Sequence, residues 1–235
     1  MQEQIENIES RRIADVYRGY HDAGHGAGKW SRGNPGNAAI IHERMDIITR
    51  TLVSCGLDLA AARVLEIGCG GGSVMQDFVT AGVNVNRITG VDLLEDRIAE
   101  AKERHPDFDV RTANATALPF EDTSFDCVLI FTVFSSILDE SMRVRIALET
   151  DRVLRRGGAV VWYDFRVNNP ANPNVRGISV KSVRSYFPNY SHSIRSVTVF
   201  PHFARRLGPL THLLYPLLAS IPFVRTHLVG VLVKR

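Results

Sequence analysis

A chain of 235 residues with 45% apolar and 23% charged content suits one globular domain with a sizeable core. It has no run of about 18 apolar residues and no signal-peptide pattern, which excludes a membrane-spanning class and makes the expected location cytoplasmic, or peripheral at a membrane surface. Residues 1–150 carry 15 Lys and Arg against 23 Asp and Glu, and residues 151–235 carry 13 against 2, so the last third is expected either to face something anionic or to form a solvated basic face.

In chain order, Gln2 to Tyr20 reads as a polar, charged helix. His21 to Asn37 (HDAGHGAGKWSRGNPGN) is a glycine-rich loop, long for a compact domain, which suggests a lid or a mobile tail held by Trp30. Tyr17, Tyr20, His21, His25 and Trp30 gather around it. Ala38 to Cys55 places Ile40, Ile41, Ile47, Ile48, Leu52 and Val53 mainly at helical spacing and should pack on a sheet. The three cysteines, Cys55, Cys69 and Cys127, are odd in number and lack ligand spacing, so free thiols and no metal site are expected.

Arg63 to Ile67 is a short apolar strand followed at once by glycines, VLEIGCGGGS, and helical spacing resumes at Ser73. Glycines allow a tight turn and close approach to a ligand, and the helix start beyond them offers unpaired N–H groups. A second strand, Arg87 to Val91, delivers Asp92, where a carboxylate can accept both hydroxyls of a ribose. A dinucleotide pattern begun at Gly68 would need glycine at position 73, which is Ser73. The pattern present is acidic-x-G-x-G-x-G: Glu66, Gly68, Gly70, Gly72. It resembles the first motif of the class I S-adenosylmethionine-dependent methyltransferases, in which the acid orients the loop and the loop lies against the methionine part of the cofactor. The bland alternative is a strand-to-helix turn without a ligand.

Glu95 to Arg104 reads as a helix stopped by Pro106, and Phe108 to Ala113 as a third strand. The passage from Asn114 through LPF to a strand opening Phe125-Asp126 resembles the second methyltransferase region. That resemblance implies Asn114 at the adenine amino group and Ala115 beside the ring, with Cys69, Leu93 and Phe131 also counted among the cofactor contacts. Many small-molecule members have two histidines after the fourth strand; Ser135 and Ser136 stand here, so no base carries over at that point. Asp139 should cap a helix running to Leu154 and stopped by Gly157-Gly158. A fifth strand, Ala159 to Tyr163, then brings Asp164 to the ligand edge, as acceptor-facing group or as turn cap.

After an Asn- and Pro-rich stretch, Arg166 to Gly177, come a short helix, Ser179 to Phe187, and alternating strands Ile194 to Phe200 and His227 to Lys234, expected as antiparallel neighbours. Between these strands, Leu207 to Ile221 has helical leucine spacing broken by Pro216. It is read as packing, as a lid on the acceptor, or as an interfacial segment with Arg205, Arg206 and Arg225 towards headgroups.

The resemblance implies one doubly wound α/β domain with seven strands, six parallel and one antiparallel. Within it, residues 1–55 form a cap and lid, 63–165 the cofactor core, and 166–235 the acceptor-side segments and last two strands. It implies an S-adenosyl-L-methionine-dependent methyltransferase acting, on oxygen, on a small or lipid-linked acceptor, with His21, His25, Asp164 and His192 as acid–base candidates. Nucleic acid is not an expected partner. A non-catalytic protein on the same fold and, with less support, a nucleotide-binding oxidoreductase are the alternatives.

Overall fold

A computed structural model describes residues 2–22 and 31–235. In chain order the elements are α1 (Gln2–Asp22), α2 (Pro35–Ser54), β1 (Val64–Ile67), α3 (Ser73–Thr80), β2 (Ile88–Asp92), α4 (Glu95–Arg104), β3 (Asp109–Thr112) and β4 (Phe125–Phe131). They continue with α5 (Glu140–Val153), β5 (Leu154–Phe165), α6 (Val180–Tyr186), β6 (Tyr190–Val199), α7 (Pro201–Arg206), α8 (Thr211–Ala219) and β7 (Arg225–Lys234).

The strands make one sheet in the order β3-β2-β1-β4-β5-β7-β6, with β7 antiparallel to both neighbours and the other pairings parallel. Every residue of β1 is buried, as a parallel strand covered on both faces requires. One face carries Ile48 and Leu52 of α2, Met75 and Phe78 of α3, and Ile98 of α4. The other carries Met142 and Ile146 of α5 with Val183 and Phe187 from α6 and its end. The strand order reverses between β1 and β4, which opens a crevice at the carboxyl ends of those strands.

Two expectations about elements change. The helix α5, capped by the Asp139 side chain on the Met142 amide (2.7 Å), passes straight into β5 at Leu154, so Gly157-Gly158 lie inside the strand and do not stop the helix. The β4–β5 register shifts between Phe125 and Cys127, and Gly157 adopts φ +74° there, which only glycine does without strain.

The leucine-rich stretch is a tight turn at Gly208–Leu210 and then α8, which runs through Pro216 and is not broken there; α7 precedes it and a second turn at Pro222–Val224 follows. Tyr215 and Ala219 pack with Ile40, Val199 and Ala204 in a third cluster against α2. The Tyr215 hydroxyl donates to Glu43 (2.7 Å), which also accepts the Thr198 amide (3.0 Å). Leu210, Leu213 and Leu217 face outward, so packing accounts for only one side of this stretch.

Candidate cofactor and acceptor site

The glycine loop between β1 and α3 is fastened to the end of β2 by its own backbone. The Gly68 and Cys69 amides donate to the Val91 carbonyl (2.8 and 3.0 Å), and the Gly70 amide donates to Asp92 Oδ2 (2.9 Å). Asp92 Oδ1 accepts the Leu94 amide (3.0 Å), so this carboxylate positions both the loop and the start of α4. Gly68 has φ +73°, and a Cβ there would stand 2.6 Å from the Val133 methyl; Gly70 has φ +50° with Arg97 closing the same space. Gly68 and Gly70 therefore admit no side chains, which is what close approach of a ligand to backbone demands. Helix α3 starts without a side-chain cap, leaving the beginning of its first turn open to a polar group.

Beneath the loop lies Glu66, buried in β1. Burial pushes its carboxyl well above the usual range despite the Arg44 charge and a hydrogen bond from the Met75 amide, and its Oε2 has no hydrogen-bond partner among the described residues. Asp92 is also raised by burial, with the Leu94 and Gly70 amides and Arg97 opposing the shift. A buried acid under a side-chain-free cradle, and a second acid at its rim, fit a nucleoside whose ribose and amino-acid parts need acceptors and backbone donors.

Asn114 stands at the same edge, after β3, with half-buried Ala115 beside it. Its Oδ1 accepts the Thr116 amide (3.0 Å), and its Nδ2 donates to Glu6 Oε1 of α1 (3.0 Å). Glu6 also bonds the Thr116 hydroxyl and pairs with Arg145 (2.6 Å). The amide expected at the adenine is thus shared with the N-terminal helix.

The same helix reaches the turn after β4. Glu9 accepts the Leu138 and Asp139 amides (2.5 and 3.4 Å), Arg12 donates to the Ser136 carbonyl (2.6 Å), and the Tyr17 hydroxyl meets Ser136 Oγ (2.9 Å). Burial, together with the nearby charges of Asp92 and Asp164, raises the Tyr17 phenol and keeps it protonated. Glu9 and Arg12 were not foreseen as site residues. Their only signal was an acid–base pair three apart on the polar helix, which also occurs on solvated faces.

Other expected site residues fall elsewhere. The Phe131 ring lies in the core, edge-on to Phe78 (6.1 Å) and under the Arg44 guanidinium (5.3 Å). Cys69 is buried against Gly90, and burial drives its thiol far up, so it contributes shape and backbone only. Leu93 is half-buried at the rim.

Asp164 is fully buried, accepting the Ser135 amide (3.0 Å) and its neighbour Phe165's amide (2.8 Å), and burial lifts it to about 6. It holds the turn after β4 from within the core. His192 lies elsewhere on the sheet. It pairs with Leu232, which pairs with Val160, four residues before Asp164, so it sits towards the opposite edge of the sheet, roughly 13 Å away at strand spacing. His21 belongs to the last turn of α1 but its side chain, like the whole of His25, lies outside the described residues.

Strand order, glycine loop and rim acid together define the class I S-adenosylmethionine-dependent methyltransferase fold. Residues 65–162, a little over two fifths of the chain, match the family model described as "Methyltransferase domain". The chain is similar to the phthiotriol/phenolphthiotriol dimycocerosates methyltransferase of Mycobacterium tuberculosis, 38% identical over 115 residues, 48% of this chain and 41% of the relative. It is similar as well to the demethylmenaquinone methyltransferase of Beutenbergia cavernae, 36% identical over 103 residues, 44% of this chain and 40% of the relative. The matched stretch thus spans about two fifths of the length of these curated relatives. In fold, it resembles the S-adenosylmethionine-dependent methyltransferase of Mesorhizobium loti, with a TM-score of 0.57 and 17% identity, covering 81% of this chain and all of the other.

Proposed function

We propose that the protein transfers a methyl group from S-adenosyl-L-methionine to a hydroxyl oxygen of a small or lipid-linked acceptor. The observation that carries this reading is the hydrogen bond from Gly70 to Asp92, which joins the glycine cradle and a carboxylate that would accept a ribose into one unit. The Gly68–Gly72 backbone, Asp92, Leu93, Asn114 and Ala115 would hold the cofactor. When bound, it supplies a methyl group already activated on sulfur.

What the chain then does is align the acceptor and keep water out. Proximity and orientation provide most of the acceleration in such a transfer. The Tyr17–Ser136 hydroxyl pair is the polar feature beside the turn after β4, and a protonated phenol there would hydrogen-bond the acceptor oxygen and fix its direction. With Asp164 engaged by two amides, no carboxylate base is assigned, and the acceptor hydroxyl would lose its proton to a group on the His21–His25 stretch. The lipid and quinone names of the curated relatives support a partly apolar acceptor.

The test is turnover of methyl-labelled S-adenosyl-L-methionine against a panel of lipid phenols, quinols and glycolipid alcohols. Label should enter an ether on at least one of them. Label recovered only on carbon or nitrogen would remove the oxygen assignment, and binding without transfer would favour a non-catalytic protein.

A further inference from the structure

The outward side of α7–α8 combines two features usually kept apart on a protein surface. Thr211, Tyr215 and Ala219, spaced by four, are the buried face of α8, whereas Leu213 and Leu217, half a turn round, are 59% and 62% exposed. Leu210 and Phe203 are similarly exposed before them, and Phe223, on the turn into β7, is 97% exposed. Large apolar side chains this open and this close together mark a contact surface.

The chain segment that carries them is basic, and the acid beneath it, Glu43 of α2, is engaged by the Tyr215 hydroxyl and the Thr198 amide. From Arg166 to Arg235 the chain has ten Lys and Arg and no Asp or Glu. Arg166 reaches the Pro222 carbonyl beside Phe223 (3.4 Å), and with Arg195, Ser179 and Ser196 it lines a recess of about 390 Å³ floored by Ile194 and Leu228. Asp46, which shares a second recess with Arg195, is already paired with Arg50 (2.7 Å). Arg225 does not join this surface, because its guanidinium turns inward to the Ala219 and Ser196 carbonyls (2.6 Å each).

We propose that this face docks the protein on an anionic lipid bilayer, with Leu213, Leu217 and Phe223 entering the interface and Arg166 and Arg195 meeting lipid phosphates. It deepens the lipid-linked acceptor reading, on which it rests, by naming the surface from which such an acceptor is drawn. Charge complementarity selects the occupant: a second copy docking by the same face would oppose cations to cations, while anionic headgroups neutralise them. Exposed apolar side chains with an arginine close by, as Phe223 has in Arg166, are what an interfacial segment presents to headgroups and acyl boundary. Docking brings α7 and α8 to the bilayer on the side of the sheet where β6 ends, the same edge that carries the crevice.

The experiment is co-sedimentation of the whole chain with vesicles of phosphatidylglycerol and phosphatidylcholine, and with phosphatidylcholine alone. Binding should occur on the anionic vesicles, fall at least tenfold on the neutral ones, and weaken as salt rises. Leu213→Asp with Phe223→Asp should reduce it by about tenfold or more, and Arg166→Ala with Arg195→Ala should flatten the salt dependence. These side chains are solvent-exposed, and circular dichroism checks the fold of each variant. No sedimentation with anionic vesicles at low salt, or equal sedimentation by the Asp variant, overturns the proposal, as does self-association removed by the same substitutions without vesicle binding. Cofactor titration of the same samples separates the two readings. Vesicle binding without cofactor binding removes the methyltransferase reading and keeps the surface, and the reverse result keeps the methyltransferase reading and removes the surface.

Discussion

Asp92 shows how one side chain serves two ends. Its two oxygens each accept a loop amide, and each keeps a lone pair for a ribose hydroxyl. Asp92→Ala should therefore weaken S-adenosyl-L-methionine binding by about 1.5–3 kcal/mol, read by calorimetry, since hydrogen bonds to a charged acceptor lie in that range. Equal affinity in wild type and variant would remove the ribose role.

Asp164 makes a different prediction, on stability and pH. Burial raises it to about 6, above its unfolded value, so the folded state binds the proton more tightly. Its effect on stability is then most favourable at low pH and declines as pH rises from about 4 to 6, by roughly 3 kcal/mol in all. His227, buried on the Tyr163 ring and lowered to about 3, acts in the opposite sense and costs stability as pH falls below its ordinary range. The wild-type curve mixes the two, so the comparison to make is with Asp164→Asn. That variant should be destabilised more at pH 4 than at pH 7.5 in urea titrations. A pH-independent difference would contradict the assignment of the shift to Asp164.

Among whole elements, α1 is the one whose function was least legible. Its composition is mostly polar, with Ile5, Ile8, Ile13 and Val16 interspersed, and such a composition does not say what the helix packs on. In the fold, Glu6, Glu9, Arg12 and Tyr17 each reach groups at least 108 residues away, on the Asn114 loop or the turn after β4. Pairings of that separation leave no local pattern to read. Glu9→Ala should free two amides at the start of α5 and loosen the helix by about 1–3 kcal/mol, seen as early proteolytic removal of the first 20 residues. Unchanged protease resistance would show that Glu9 does not hold the helix down.

The contact of α2 with α7 was equally hidden. Gly36, in the first turn of α2, has the Ala204 carbonyl 2.1 Å from where a Cβ would be. Gly36→Ala should force the two helices apart and cost about 1–3 kcal/mol, measurable as a lower urea midpoint; wild-type stability would contradict the close approach.

At the scale of the whole molecule, the central sheet was legible because its signals are local. An apolar run, glycines and an acid follow one another within 30 residues, and VLEIGCGGGS with Asp92 was enough to place the loop and the rim. Asn114 was legible only as an address, since its partner Glu6 lies in the most remote part of the chain. The place of His192 was not legible, because alternation gives a strand its faces but not its register, and register is what puts this side chain towards the far edge. The leucine stretch misled in part because helical spacing says that one face is apolar without saying that both are.

The central claim is that the crevice between β1 and β4 binds S-adenosyl-L-methionine through the unit formed by the glycine loop and Asp92. Its most direct test is calorimetric titration of the folded protein with S-adenosyl-L-methionine and S-adenosylhomocysteine, beside Gly68→Val, whose added side chain would meet Val133. Saturable one-to-one binding of both ligands by the wild type, lost in a Gly68→Val protein with native circular dichroism, is the result expected. Absence of binding to either ligand by the folded wild type, or undiminished binding by the Gly68→Val variant, would contradict it.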